Sequence, residues 1–381
     1  MPWKEVNRMD QKLEFVSLAL AEDLSMKELC AEFGISRKTG YKWLNRFYEL
    51  GEPGLVDLKP IPKSSSSWCR EDFSEIIEST RARFPRWGAP KIYAYLKREN
   101  IDCPSPATIG RILKCKKLTR PKAPHVFTKS QKRLTNSSNC NQVWSADFKG
   151  QFKSNCGTYN YPLTVADHYS RYIIGIENLK STSLRGTKIA FTRIFKEHGL
   201  PEIIRTDNGV PFTGAYGPSI LSIWWLELGI TPELTEKGKP QQNGRHERMH
   251  RALKEEAIDV KKFNFNQQSK EFSSYIKVYN GERPHQGIEN QTPSDIYVPS
   301  KREYPDKILA YDYPKYAEVR KTSRDGRLQF RGQRYFFSSA LGRKEVGIIP
   351  IGADIWEINF RGHNMGTINT FYKTFRGKYL F

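Results

Sequence analysis

The sequence has few of the features that would send a chain out of the reducing cytosol. Its six cysteines, Cys30, Cys69, Cys103, Cys115, Cys140 and Cys156, are scattered, and no two form a CxxC pair. That spacing excludes a zinc knuckle and offers no disulfide framework. The first residues, Met1-Pro2-Trp3-Lys4-Glu5, hold no apolar signal core. No apolar run is long enough to span a bilayer. There is neither an internal repeat nor a phosphate-cradling glycine loop. Negative charge is also scarce: 41 acidic residues face 62 lysines and arginines, a formal net charge of +21. Such an excess repels itself unless a polyanion offsets it, and nucleic acid is the commonest one. These absences predict a reduced, cytoplasmic protein that meets nucleic acid and no membrane.

What is present suffices for several cores. The chain has 381 residues, 38% of them hydrophobic, which predicts a multidomain protein. In residues 1–58, Leu13, Val16, Leu20 and Leu24 recur at helical spacing. Ser25 can cap a second helix with Glu28 completing a capping box, and Leu29 and Phe33 supply its apolar side. Gly34 suits a tight turn, and Ser36 caps a third helix carrying Tyr41, Leu44 and Phe47. Short helices joined around a glycine predict a helix-turn-helix, whose last helix enters a major groove. Arg37, Lys38, Lys42, Asn45 and Arg46 on that helix suit phosphates and base edges. Residues 59–69, with Pro60, Pro62 and Ser64 to Ser67, read as a linker.

Residues 70–135 hold a second helix-turn-helix-like domain. Phe73, Ile76, Ile77, Thr80 and Phe84 form one stripe, Pro90 begins a helix with Ile92, Tyr95 and Leu96, and Ser105 caps another with Ile109, Ile112 and Leu113. From Lys114 to Arg133 no acidic residue occurs, as expected of a linker that tracks DNA. From Val143 strand and helix patterns alternate, so residues 136–300 are expected to form an α/β core with a central mixed sheet. Tyr161 to Ala166 and Tyr172 to Ile176 read as a hairpin, and helices are expected around 184–198, 220–228, 244–260 and 272–280. Residues 301–381 carry short strand patterns such as Ile355 to Phe360, which predict a small basic β-barrel.

Three acids stand in telling places. Asp147 lies in the first core strand, Asp207 just after the buried Ile203-Ile204 strand, and Glu247 near the start of a helix. Carboxylates at strand ends are held rigidly, and three together repel unless cations bind. Hard oxygen donors select Mg²⁺ or Mn²⁺, and two such ions can activate a nucleophilic oxygen and stabilise a leaving one. At about 100° per residue, Met249 and Leu253 point away from Glu247 while Arg251 and Lys254 share its side, a basic face suited to DNA phosphates. The local pattern alone equally allows Glu247 to pair with Arg251 on a solvated helix.

Four segments in order settle between these readings. Trp144-Ser145-Ala146-Asp147, Thr206-Asp207-Asn208-Gly209, Pro240-Gln241-Gln242-Asn243-Gly244-Arg245-His246-Glu247-Arg248 and Tyr279-Asn280-Gly281-Glu282-Arg283-Pro284-His285-Gln286 resemble the motifs of bacterial insertion-sequence transposases of the DDE superfamily, with a retroviral-integrase-type catalytic core. The resemblance covers roughly residues 10 to 300. It implies an RNase H-like core, Asp147, Asp207 and Glu247 as catalytic and metal-binding acids, and two Mg²⁺ or Mn²⁺ ions per active site. It also implies double-stranded DNA partners, namely element terminal inverted repeats and target DNA, and a homodimer or higher synaptic assembly in a bacterial cytoplasm. Two departures stand out. The 39 residues between Asp207 and Glu247 are a few more than the retroviral type carries, with Gly214 to Pro218 as the expected extra loop. The His/Cys zinc module of retroviral integrases is replaced by helix-turn-helix units.

Two other functions compete. One is a DNA-binding regulator with an inactive transposase core, which the presence of all three acids disfavours. The other is a zinc protease, because His246-Glu247-Arg248-Met249-His250 matches HExxH. Against it, Arg245, Arg248 and Arg251 crowd the motif, and the nearest downstream third ligand, Glu271, has no motif around it. Asp167 is expected to shape the turn before Arg171, and Arg283 and His285 either touch DNA or fix their loop.

Overall fold

Polar caps and one glycine shape the first three helices. The computed structural model describes residues 8–57, 73–119, 134–214, 217–236, 239–259 and 263–377. It divides into two compact units, Met1–Cys69 and Arg70–Phe381. In the first, α1 (Arg8–Ala21), α2 (Met26–Glu32) and α3 (Arg37–Leu50) form a helix-turn-helix. Ser25 and Glu28 cap α2 reciprocally, and Gly34 turns the chain with φ +64°. The packing differs from expectation at three positions. Leu20 and Leu24 are 43% and 42% exposed while Phe15 is buried, and Tyr41 points outward while Trp43 packs inward. In α3 the cause is Gly40: a Cβ there would lie 2.6 Å from Cys30 Sγ. This close approach turns the Gly40–Trp43 side of α3 inward and rotates Tyr41 out. The expected linker 59–69, and Arg120 to Arg133 of the basic stretch, lie outside the described residues.

In the second unit, α4 (Ser74–Arg83), α5 (Ala89–Arg98) and α6 (Pro106–Cys115) enclose Ile77, Trp87, Ile92, Leu96 and Ile109. The sheet that follows contains β1 (Val143–Phe148), β2 (Phe152–Lys153), β3 (Tyr159–Asp167), β4 (Ile173–Leu179), β5 (Ile203–Thr206) and β8 (Thr231–Leu234). β6 (Thr213–Gly214) and β7 (Gly217–Pro218) form a separate two-stranded pair in the expected extra loop. β3 pairs antiparallel with β1 and β4, while β1, β5 and β8 run parallel, so the sheet is mixed.

Helices cover both faces of this sheet. α7 (Leu184–His198) and α8 (Ile220–Glu227) pack Phe191, Phe195, Trp224 and Trp225 against Trp144, Val165 and Ile204. α9 (Gly244–Glu256) and α10 (Phe265–Gly281) pack Met249, Leu253 and Phe272 against Ile173 and Ile176. A bulge in β4 opposite Val165 and Ala166 lets Ile173 and Ile176 share one face while Ile174 joins the other core. α10 begins at Phe265, earlier than its apolar stripe, because Asn264 and Gln267 form a capping box. A short α11 (Pro293–Ile296) follows.

The C-terminal lobe is β-rich but is not the closed barrel expected. β9 (Glu318–Lys321), β12 (Glu345–Pro350), β13 (Ile355–Phe360), β14 (His363–Asn369) and β15 (Thr374–Gly377) form an open sheet with β9 and β15 at its edges. β10 (Arg327–Phe330) and β11 (Gln333–Phe336) make a separate hairpin. The hairpin's Leu328, Phe330 and Tyr335 bury the sheet's Ile348, Ile358 and Ile368, so its apolar face is satisfied without closure. Ile223 and Leu226 of α8 belong to this same core. α8 is therefore buried on several sides, consistent with its run of apolar residues. Among the described residues, no helix is long and apolar enough to cross a membrane.

β5 is anchored by a charge pair that sequence patterns did not reveal. Arg205, 2% exposed, donates from Nε to Glu233 Oε2 at 2.6 Å and from Nη2 to the Thr135 carbonyl at 2.6 Å. Removing one member of a buried pair strands the other. Arg205→Met should therefore lower unfolding free energy by about 3 kcal/mol in urea titration. Adding Glu233→Gln should restore part of that loss, and a double variant no better than Arg205→Met would refute the account.

Candidate active site

The register of two parallel strands brings two of the acids together. Val143 lies opposite Ile203, Trp144 opposite Ile204 and Ser145 opposite Arg205. Continuing that register carries β1 to Asp147 and the end of β5 to Asp207. Glu247 is exposed in the first turn of α9. The Asp147 carboxyl is pushed up to about 7, foremost by burial, then by the charge of Asp207, with a smaller push from Glu247. All three acids thus act within one electrostatic neighbourhood. Asp207 is fixed by its own turn: Oδ1 accepts the Gly209 amide at 2.9 Å, and a Cβ on Gly209 would lie 3.1 Å from that oxygen. Asn208 donates to the Thr235 carbonyl at 2.7 Å and ties the turn to the end of β8.

Beneath these acids lies a polar network that the sequence reading missed. His246 and His250 are 2% and 7% exposed, too buried to touch DNA. Both Nε2 atoms lie 2.6 Å from Thr164 Oγ1, and His246 Nδ1 lies 2.8 Å from Ser145 Oγ. Thr164 has one hydroxyl proton, which it donates to the Asp147 carbonyl at 2.9 Å. Both Nε2 atoms must then carry protons and donate to Thr164, and Ser145 donates to His246 Nδ1. Burial pushes both imidazoles well below their ordinary range, so both are neutral. The HExxH spacing was visible, but nothing in the sequence marked Thr164 as its partner.

Ligand atoms of Asp147, His246 and His250 come within 4.8 Å of one another, whereas Asp147, Asp207 and Glu247 do not form such a group of three. Distance alone would allow a cation between the histidines. The hydrogen bonds argue otherwise, because Thr164 already takes both Nε2 atoms. What remains is the His250 Nδ1 lone pair, 3.7 Å from Asp147 Oδ2. Two electron-rich atoms face each other there, and a cation on Asp147 would relieve them. With oxygen donors at the strand ends, this arrangement fits a hard divalent ion.

The other expected residues are placed as follows. Arg37, Lys38, Lys42 and Asn45 are exposed on α3. Arg46 turns back: its Nη2 donates to the Val56 carbonyl at 3.1 Å, and its guanidinium lies over Trp43. Arg251 and Lys254 are exposed on α9. Asp167 is 1% exposed and accepts from Asn141 N, Ser170 N and Ser170 Oγ, so it shapes the turn, while Arg171 bonds to the His168 carbonyl instead. Arg283 holds Glu256 through two bonds of 2.8 and 2.9 Å. The His285 amide donates to the Gln291 carbonyl at 3.0 Å.

Family models bear on the same segments. The integrase core domain matches residues 138–240 and 228–293, a helix-turn-helix domain matches residues 11–63, and a homeodomain-like domain matches residues 39–113. The chain therefore carries an integrase core domain, with helix-turn-helix and homeodomain-like segments before it. The insertion element IS407 uncharacterized 31.7 kDa protein of Burkholderia multivorans is 29% identical over 157 residues, 41% of this chain and 55% of that protein. The Pol polyprotein of radiation murine leukemia virus is 31% identical over 112 residues, 29% of this chain and 18% of the polyprotein. The chain thus aligns with about half, or less, of the length of these curated relatives. Among solved structures, the HTLV-2 integrase catalytic core domain in complex with magnesium shares 16% identity at a TM-score of 0.34, covering 42% of this chain and 99% of that one. A simian T-cell lymphotropic virus intasome in complex with PP2A regulatory subunit B56 gamma shares 14% at 0.39, covering 74% and 93%. Likeness at those scores carries no argument about the site.

Two outcomes follow from this integrase core. A carboxyl with a folded pKa of about 7, above its unfolded value, favours folding at low pH and loses that contribution as pH rises towards 7. In chelator, the melting temperature of Asp147→Asn relative to wild type should therefore climb between about pH 4 and 7. Excess Mg²⁺ should shrink the gap, whereas a gap independent of pH would contradict the raised carboxyl. Thr164→Val leaves two buried imidazole N–H groups without an acceptor and should cost about 2–4 kcal/mol in chemical denaturation. Thr164→Ser should recover most of it, and a Val variant as stable as wild type would remove Thr164 as the hub.

Proposed function

We propose that this chain is a DNA transposase that acts on the ends of its own element. It binds terminal inverted repeats, hydrolyses a phosphodiester to free a 3′-hydroxyl, and joins that hydroxyl to target DNA. The observation that carries this reading is the parallel β1–β5 register, which sets Asp147 beside Asp207 under the influence of Glu247. Asp147, Asp207 and Glu247 would hold two Mg²⁺ or Mn²⁺ ions, which when bound activate the attacking oxygen and stabilise the leaving one. In cleavage, a water oxygen bonds to phosphorus and the 3′-oxygen leaves with a proton. In joining, the freed 3′-oxygen bonds to a target phosphorus and a target 3′-oxygen leaves. The chain contributes rigidity: the β5 turn fixes Asp207, and the Thr164–histidine network seats the Glu247 helix against β1 and β3.

The rest of the chain has supporting tasks in this reading. Residues 1–58 and 70–135, joined by the linker 59–69, recognise element ends. Exposed Arg37, Lys38, Lys42 and Asn45 enter a major groove, with Arg46 backing the helix. Arg251 and Lys254 line the approach to residues 136–300, the catalytic domain, and residues 301–381 extend it. Two ends must be held at once, so the working form is a homodimer or larger synaptic assembly, in the bacterial cytoplasm on the nucleoid. An inactive regulator lacks support while all three acids are present. The zinc protease reading loses its ligands, because both histidines donate to Thr164.

The deciding experiment incubates full-length protein with element-end DNA and Mg²⁺ and scores nicked and joined products. Asp207→Asn should abolish both products while end binding survives in a gel-shift assay. Nicking by that variant at near the wild-type rate would overturn the assignment of the acids.

A further inference from the structure

Four separate elements bring positive charge to one half-open pocket of the second unit. A cavity of about 350 Å³ is lined by Lys91 of α5, Arg171 of the β3–β4 turn, Arg245 and Arg248 of α9, and Arg283 and His285 beyond α10. Among the described residues, no acidic one lines it. Glu256 engages Arg283 from outside, and the remaining bonds of Arg171, Arg245 and Arg248 go to uncharged carbonyl and imidazole acceptors. Two acids act on this group, Asp167 on Arg171 and Glu256 on Lys91 and Arg283, so the cations outnumber them. Lys91 is pushed down to about 8 by burial and by Arg283. Two further nitrogens, Arg283 Nε and His285 Nε2, are buried without a hydrogen-bond partner, and Arg283 itself is only 9% exposed. Cationic crowding and orphaned nitrogens together describe a cradle for an anion with several oxygens.

We propose that this cavity is a phosphodiester site that grips one backbone phosphate of bound DNA where the second helical unit meets the catalytic domain. The DNA assignment rests on the function proposed above; the anion site does not. A polymer fits better than a free ion, because Arg248, Ala252 and Arg283 also border a neighbouring cavity of about 620 Å³. That second space is also lined by Arg81, Arg86 and Arg251, with Glu255 and Glu256. A strand laid along this course touches α5 and α9 together. One phosphate thereby couples a DNA-reading unit to the helix that carries Glu247.

Inorganic phosphate is the first probe, added to the full chain without DNA at matched ionic strength against chloride. Phosphate should raise the wild-type melting temperature, and Lys91→Gln with Arg248→Gln should lose most of that rise. Lys196→Gln, which removes a charge on exposed α7, should respond like wild type. In phosphate-free buffer the double variant should melt higher than wild type, because like charges have been removed. Arg248→Gln alone, which gives up only a bond to the Gly244 carbonyl, repeats the test should the double variant fold poorly. A phosphate response in Arg248→Gln and the double variant equal to wild type overturns the anion site. On element-end duplex, the double variant should bind about tenfold more weakly, with a salt slope smaller by about one. Loss of the phosphate response with unchanged DNA affinity and slope overturns the DNA assignment. If both arms hold and no protein cleaves with Mg²⁺, the transposase reading fails and the phosphodiester site stands.

Discussion

Repulsion between carboxylates is the constraint around which this protein is built. β1 and β5 lie side by side in parallel, so their ends deliver Asp147 and Asp207 to one place. Nothing about that meeting is stable by itself: burial foremost, and then the charge of Asp207, push the Asp147 carboxyl up. The surroundings hold the two strands in place regardless. Trp144 and Ile204 bury the strands against α7 and α8, Arg205 clamps β5 to β8 and to Thr135, and the Asn208–Gly209 turn fixes the second acid. The fold supplies rigidity where electrostatics opposes it, a common arrangement for a site that awaits a cation.

The histidines show a second way of resolving the same conflict. A helix bearing Glu247 must approach two other carboxylates without bringing further charge inside. His246 and His250 meet that need as neutral donors to one threonine hydroxyl. The helix is pinned by polar contacts that are geometrically demanding, unlike the apolar contacts of Met249 and Leu253 on its neighbouring side.

Much of this was legible in the sequence, for identifiable reasons. Capping residues Ser25, Ser36 and Ser105 act over three residues, so local order reveals them. The strand-end acids were legible because ordered motifs surround them. Contacts between distant segments were not. Thr164 and Arg205 sit in ordinary strand patterns, and their partners lie 82 and 28 residues away. Tyr41 was misjudged because helical spacing cannot tell which of two adjacent stripes meets a close-packed glycine. The C-terminal strands were legible as strands, but closure depends on which edges pair, and no local signal encodes that.

The joint between α4–α6 and the integrase core has a practical consequence. Arg83 meets Glu282, Arg86 meets Glu255 and Arg98 meets Asp295, all partly exposed, with Val278 adding an apolar contact. Exposed pairs of this kind contribute about 0–1 kcal/mol each and are screened by salt. A concentrated brine that strips nucleic acid from the protein during purification therefore also slackens this seam. The preparation judged cleanest is then the one whose two halves hold each other least firmly, and dialysis back to dilute buffer becomes part of rebuilding the molecule.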